Sequence, residues 1–315
     1  MIQVVITRLQ AIARDIVLVE LESADKSPLP GASPGAHIDL HLPNGYIRQY
    51  SLTNAKGKSF QASYQIAVAR DANSRGGSAW IHDKLRIGNS LVVSEPRNLF
   101  KLDAQIQDKV LFIGAGIGIT PIYAMAQSAH EAGFDWTLMA CARSASRLAF
   151  QEELVSIDSK RVQFHFDTDH GAPMNLRALL DSSAWSAVYA CGPAGLLNAV
   201  ELATTNWPEG SVRMERFKAE SQDATSNTAF ELVMARSGKT VQVSASESPL
   251  EALERFGIDH PFSCREGLCG TCEVNVIEGL PDHRDNVLNH QERIACQRFM
   301  PCVSRCDGAK LVIDL

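Results

Sequence analysis

Ser263-Cys264-Arg265-Glu266-Gly267-Leu268-Cys269-Gly270-Thr271-Cys272 sets three cysteines on a C-x4-C-x2-C spacing. A fourth, Cys302, lies thirty positions after Cys272 and closes Phe299-Met300-Pro301-Cys302. That is the spacing at which four thiolates hold a two-iron, two-sulfur (2Fe-2S) cluster. One tight loop must deliver three sulfurs and a distant segment the fourth. Gly267 and Gly270 give the loop backbone conformations that other residues resist, and its amides are placed to hydrogen-bond to cluster sulfur. A cluster of this kind carries one electron, so the rest of the chain must account for where that electron comes from.

The chain holds eight cysteines. Cys296 and Cys306 flank Cys302, which is preferred as the fourth ligand because its spacing and the preceding Pro301 fit the ferredoxin pattern. Cys141 ends an apolar run and reads as packing. A zinc ribbon would need a second C-x2-C pair, and the sequence has none. Around the cluster loop, residues 225–315 fit a small α+β (β-grasp) ferredoxin: a hairpin, a helix at Pro249–Phe256, the loop and closing strands. Asp282-His283-Arg284-Asp285 reads as charged side chains tying a turn near Asn286 to Glu292 rather than as a metal or acid–base site. Residues 218–228 are polar, lack hydrophobic periodicity and read as an exposed linker.

Upstream of that linker the pattern is α/β. Lys109-Val110-Leu111-Phe112-Ile113 is a continuous apolar run, as a strand buried on both faces requires. A glycine turn and a helix from Pro121 to about Ala132 follow. Further strands are expected at Trp136–Cys141, Val162–Phe166 and Ala187–Cys191, with a helix around Phe150–Ile157. Strands alternating with helices imply a doubly wound sheet. Residues 1 to about 100 are instead β-rich. Short alternating runs such as Ile16–Leu21 and His37–Leu42 are broken by Pro28-Leu29-Pro30-Gly31 and Pro43-Asn44-Gly45. They suggest an antiparallel β-barrel interrupted by one helix near Gly77–His82. The expected fold is therefore multidomain, with boundaries at 1–103 (antiparallel β-barrel), 104–224 (α/β doubly wound domain) and 225–315 (ferredoxin).

The 315 residues are 45% hydrophobic and 21% charged, with net charge −6. That balance suits a globular chain and gives no support to nucleic-acid binding. No apolar run reaches the roughly 20 residues that span a bilayer, and Met1–Arg8 is not a secretory signal. No membrane role and a cytoplasmic location are expected.

Gly114-Ala115-Gly116-Ile117-Gly118-Ile119-Thr120-Pro121 follows a buried strand and opens a helix, where backbone amides and the helix dipole favour a phosphate. Ile119 stands where the dinucleotide fingerprint would need its last glycine. Cys191-Gly192-Pro193 ends a second strand, and both turns fall at the strand ends where such sheets bind ligands. In the barrel region, Arg48-Gln49-Tyr50-Ser51 reads alone as an exposed strand end. Arg75-Gly76-Gly77-Ser78 adds an arginine, amides and a hydroxyl at a helix start, a set suited to a terminal phosphate.

Taken in order, these motifs resemble the phthalate dioxygenase reductase family over the full length, and especially its vanillate O-demethylase reductase branch. The resemblance rests on Arg48–Ser51, Arg75–Ser78, Gly114–Pro121, Cys191–Pro193, the four cluster cysteines and Pro281–Asp285. It implies an NADH-dependent electron-transfer reductase that holds FMN and a 2Fe-2S cluster and serves a terminal Rieske-type oxygenase as a transient partner. By position, Arg48, Tyr50 and Ser51 would hold the flavin, with Ser51 near its reactive nitrogen. Arg75, Gly77 and Ser78 would hold the FMN phosphate. Gly116, Thr120 and Pro121 would line the nicotinamide cofactor, with Cys191 and Gly192 near its ring, so Ser51 and Cys191 flank the reacting atoms. Phe217 would approach the flavin, and Cys264, Cys269, Cys272 and Cys302 would hold the metal.

The order has a chemical reason. NADH gives two electrons as a hydride, the cluster takes one at a time, and a flavin does both, so it must stand between them. Such transfer needs positioning rather than a protein acid or base. His165, His170 and His283 therefore read as structural or surface groups. Arg143 and Arg147 would suit a 2′-phosphate, whereas the resemblance implies NADH. Two other classes fit less well. A carrier fused to inert domains is disfavoured by the two nucleotide-type turns. A stand-alone oxidoreductase acting on a small molecule, such as an analogue of soluble methane or toluene monooxygenase reductases, is disfavoured because those commonly carry the ferredoxin at the N-terminus. A full oxygenase is disfavoured because the sequence has neither a C-x-H…C-x2-H Rieske pattern nor a two-His carboxylate motif.

Overall fold

The computed structural model describes residues 1–72, 74–218, 227–288 and 290–315, without the side chain of His290. Most of the expected linker lies outside the described residues. The chain divides into two compact units, Met1–Phe217 and Lys218–Leu315.

In the first unit, six antiparallel strands form one sheet in the order Ile47–Ser51, His37–His41, Ser90–Val93, Ile2–Ala13, Ile16–Ser23 and Ser63–Ala69. A bridge between Leu52 and Ile66 joins the outer strands and closes the sheet into a barrel. Alternation drives this closure: Val4, Ile6, Val19, Leu21, Ile38, Leu40, Ile66 and Val68 fill the interior, as inward positions of a small barrel must. Register shifts at Ile6/Arg8 and Ala11/Ala13 bend the long first strand. The helix Gly77–Lys84 lies in the expected place.

The same unit carries a five-stranded parallel sheet in the order Val162–Phe166, Asp135–Ala142, Lys109–Ala115, Ala187–Cys191 and Val212–Glu215. The central strand explains its own composition. Phe112 packs into one apolar cluster and Leu111 and Ile113 into another, on opposite faces. The helix Ile119–Ala132 starts two residues before the expected Pro121, after a turn of 3-10 helix at Gly116–Gly118, and Gly133 ends it at φ 79°. Val212–Glu215 is a fifth strand that the sequence reading did not name. Chain order reverses between Lys109–Ala115 and Ala187–Cys191, which makes that junction the topological switch point.

The second unit is a mixed five-stranded sheet in the order Lys239–Val243, Phe230–Met234, Lys310–Ile313, Val274–Glu278 and Arg298–Phe299. The helix Pro249–Arg255 packs on it through Ala252 and Leu253. Ser248 and Glu251 cap that helix reciprocally, with Pro249 at its first position. Among the described residues no helix is long and apolar enough to cross a membrane.

Candidate functional site

The cluster loop is built by backbone conformation. Arg265, Gly267 and Gly270 take φ of 57°, 66° and 67°, so the chain curls and turns its amides inward. Glu266 N and Leu268 N donate to Cys264 Sγ at 3.3 and 3.4 Å, and Cys264 N donates to Cys269 Sγ at 3.4 Å. The Thr271 hydroxyl lies 3.2 Å from Cys269 Sγ. Gly267 is also held by space: a Cβ there would lie 2.6 Å from Val303 Cγ2.

The structure brings Cys264, Cys269, Cys272 and Cys302 together. Thiol hydrogen bonds from Cys269 and then Cys302 lower the Cys264 thiol from its ordinary range, and Cys302 bridges Cys264 and Cys272. Cys306 is elsewhere: it packs in the sheet core and its Sγ donates to the Lys310 carbonyl at 3.3 Å. Cys296 Sγ donates to the Arg293 carbonyl. A preformed all-sulfur donor set ringed by inward amides fits a 2Fe-2S cluster. Among the described residues no group of His, Cys, Asp or Glu converges on a single point as a one-ion site requires.

The two glycine turns meet at the switch point, backbone against backbone. A Cβ on Gly118 would lie 2.3 Å from the Cys191 carbonyl oxygen and 2.6 Å from Gly192 N. Gly118 has φ −62°, so its lack of a side chain answers to space and not to conformation. Gly116, at φ 58°, has nothing within 4 Å of where a Cβ would be, which leaves the turn open on that side. Thr120 is buried, and its hydroxyl donates to the Ile117 carbonyl at 2.9 Å, stiffening the turn. Pro121 sits in the first turn of the helix, where its missing N–H costs nothing. An open glycine edge at a helix start fits a dinucleotide phosphate.

Beside these turns Cys191 is fully buried, and burial, then Glu215, pushes its thiol well above the ordinary value. Glu215 pairs in register with Cys191. Burial raises the Glu215 carboxyl to about 8, and its Oε2 is buried without a hydrogen-bond partner. A neutral carboxylic acid is therefore held at the sheet's carboxyl edge. Sequence reasoning assigned Glu215 no role. Phe217 packs against the apolar cluster around the helix Ile119–Ala132.

On the barrel, Arg48 reaches across to the start of the helix Gly77–Lys84. A Cβ on Gly77 would lie 2.7 Å from Arg48 Nε, and the Arg48 guanidinium stacks 4.6 Å from the centre of the Tyr46 ring. The strand motif and the helix start thus form one place. Ser74, which sequence reasoning missed, accepts from Gly76 N and Ala79 N at 3.2 Å and from the Ser78 hydroxyl at 3.1 Å. The Ser78 hydroxyl in turn accepts from Asp71 N. Arg75 stands two residues before this helix. Burial raises the Tyr50 phenol, keeping it neutral, and Ser51 is buried. Beneath the strand, buried Asp39 accepts from Gln49 Nε2 at 2.9 Å and Arg97 at 2.7 Å, which anchors the motif's second residue. The glycine cradle under Arg48, at a helix start without acidic residues in its first turn, fits a phosphomonoester.

Several other residues fall outside these places. Arg147 pairs with Asp15 at 3.3 Å, so of the two arginines weighed for a 2′-phosphate only Arg143 is exposed at the end of its strand. Cys141 contacts Met174 Sδ at 3.6 Å, and burial pushes its thiol up to about 12. His165 and His170 stack on each other and bond main-chain carbonyls.

Residues 233–307 match the family model described as a 2Fe-2S iron-sulfur cluster binding domain. Two proteins of Comamonas testosteroni, named as reductase subunits of toluene-4-sulfonate monooxygenase systems, are 53% and 51% identical over 314 residues, covering 100% of this chain and 99% of each of theirs. Vanillate O-demethylase oxidoreductase of a Pseudomonas species is 41% identical over 320 residues, covering 100% of both chains. The solved structure of phthalate dioxygenase reductase, described as modular for electron transfer from pyridine nucleotides to [2Fe-2S], matches with TM-score 0.70 and 37% identity over 99% of this chain and 97% of that one. An intact type IV self-sufficient cytochrome P450 monooxygenase matches with TM-score 0.90 and 39% identity; all of this chain corresponds to 41% of that longer one.

Proposed function

Because the chain belongs to the oxygenase-system reductases that include phthalate dioxygenase reductase, we propose that it takes electrons from NADH and delivers them singly to an oxygenase. The observation that carries this reading is the gathering of Cys264, Cys269, Cys272 and Cys302 in one chain with the paired turns of the nucleotide sheet. When bound, FMN supplies the conversion of a two-electron hydride into single electrons, and the cluster supplies the outlet.

The chain's own residues do the positioning. Arg48, Arg75, Gly77 and Ser78 hold the FMN phosphate at the helix start, with Ser74 fixing that turn. Tyr50 and Ser51 hold the flavin ring. Gly116, Thr120 and Pro121 seat the dinucleotide, and the Gly118–Cys191 contact sets the spacing between the two turns. Cys191 and Gly192 border the nicotinamide, and Phe217 approaches the flavin. Burial holds the Cys191 thiol and the Glu215 carboxyl toward their uncharged forms, so they border the ring without a fixed negative charge. Residues 1–103, 104–224 and 225–315 serve as flavin, nucleotide and cluster domains. The partner is a Rieske-type oxygenase met transiently in the cytoplasm.

Anaerobic titration of the purified protein with NADH, followed optically, tests this. Flavin bleaching followed by loss of the cluster's visible bands is expected. Flavin bleaching with the cluster left oxidised sinks the electron path.

A further inference from the structure

Asp285 ends the one charged motif that electron transfer leaves unused. It is 1% exposed and is the only buried carboxylate among the described residues of the second unit. Burying a carboxylate is costly unless it is paired or fully hydrogen-bonded. Among the described residues no Lys or Arg forms an ion pair with it. Arg293 bonds its main-chain carbonyl instead, and the His283 ring, at 3.9 Å, is held toward its neutral form by burial. What the carboxylate does bond is informative.

Its Oδ1 accepts from Val287 N at 2.9 Å and Leu288 N at 2.8 Å. The Leu288 and Val287 side chains pack with Cys272, Cys302 and Met300 in one apolar group. Its Oδ2 accepts from the Ser304 hydroxyl at 3.4 Å, and Ser304 is 0% exposed and two residues beyond Cys302. Its backbone packs on the three-cysteine loop: a Cβ on Gly267 would lie 3.0 Å from Asp285 Cα, and Asn286 N donates to the Gly267 carbonyl at 2.8 Å. One residue thus joins the loop that carries three cysteines, through its backbone, to the segment that carries the fourth and to the apolar cover over two of them, through its carboxylate.

We infer that Asp285 is a positioning residue of the cluster, which sets the register of the two ligand-bearing segments and lowers the cluster's reduction potential through its buried charge. Net charge and solvent exposure are among the protein's means of tuning such a centre; Asp285 acts on the first through its carboxylate and on the second through the apolar cover whose amides it holds. The Ser304 hydroxyl tempers that charge by donating to it. This inference rests on the cluster reading above.

The test is the midpoint potential of the cluster in the full-length, loaded protein, measured by dye-mediated titration and read from the electron paramagnetic resonance of the reduced centre. Asp285→Asn keeps the shape and an oxygen for the two amides but removes the charge, and it shifts the potential upward. Ser304→Ala removes the donor that tempers the carboxylate and shifts it downward. A residue that only stiffens the fold has no reason to give shifts of opposite sign. Unchanged potential in Asp285→Asn with iron retained, or shifts of one sign in both variants, overturns the inference. If Asp285→Asn assembles no cluster, Ser304→Ala decides alone: a downward shift supports the inference, and an upward or null result overturns it. Wild-type protein lacking iron and the reduced signal would fail the cluster reading first, before either variant is compared.

Discussion

Gly118→Ala adds one methyl group where two backbones touch. The new carbon would stand 2.3 Å from the Cys191 carbonyl oxygen, against an ordinary contact of about 3.5 Å. The turns must therefore part by about 1 Å, because neither atom belongs to a side chain that can swing away. Overpacking of this kind costs about 1–3 kcal/mol. At about 2–4 °C per kcal/mol for a unit of this size, the melting temperature falls by about 2–12 °C. The functional effect is larger, since a displacement of about 1 Å can cost on the order of 10²-fold in a positioned reaction. Stopped-flow reduction of the flavin by NADH reads it directly. Gly133→Ala, at the far end of the same helix, is the control: it meets no neighbour and pays only the left-handed backbone cost of about 1–2 kcal/mol. Gly118→Ala reduced at the wild-type rate, or Gly133→Ala losing more rate than Gly118→Ala, would refute the claim that this contact sets the spacing of the turns.

Three further outcomes are expected. Cys302→Ser loses the cluster while NADH still bleaches the flavin, whereas Cys306→Ser, whose sulfur bonds Lys310 in the core, retains iron; the reverse pattern in iron analysis would reassign the fourth ligand. Between about pH 4.5 and 8 the folded Glu215 keeps a proton that its unfolded form has released, so this group makes stability fall as pH rises; the urea midpoint of Glu215→Gln, relative to wild type, should climb from pH 5 to pH 8, and a constant difference would contradict the raised carboxyl. Arg97→Ala takes the Arg97 cation from the buried Asp39 carboxylate at a cost of about 3 kcal/mol in urea unfolding, and adding Asp39→Asn should recover most of it; an additive double variant would show that the pair is not coupled.

The cysteine spacing was legible because a cluster imposes a local rule on consecutive residues: three ligands from one loop need fixed gaps and glycines between them. The central strand was legible for a similar reason. Burial on both faces makes Val110–Ile113 apolar without alternation. Val212–Glu215 escaped because every residue of this short edge strand is only half-buried, so Val212-Arg213-Met214-Glu215 carries no distinctive pattern. The role of Gly118 escaped for a topological reason. Its glycine is required by Cys191 and Gly192, which become neighbours only when chain order reverses at the switch point.

Glu215 and Asp285 share a deeper cause. An acidic residue reads as a solvated one from its type alone, and the raised carboxyl of Glu215 and the bridging carboxylate of Asp285 exist only through burial that other segments create. Ligand identity is a property of one stretch of chain and can be read from it. Tuning is a property of the distances between stretches. Groups proposed to tune the cluster or border the nicotinamide therefore read in the sequence as ordinary surface charge. A buried carboxylate left without a cationic partner, next to a cofactor-type donor set, is the structural sign by which they are found.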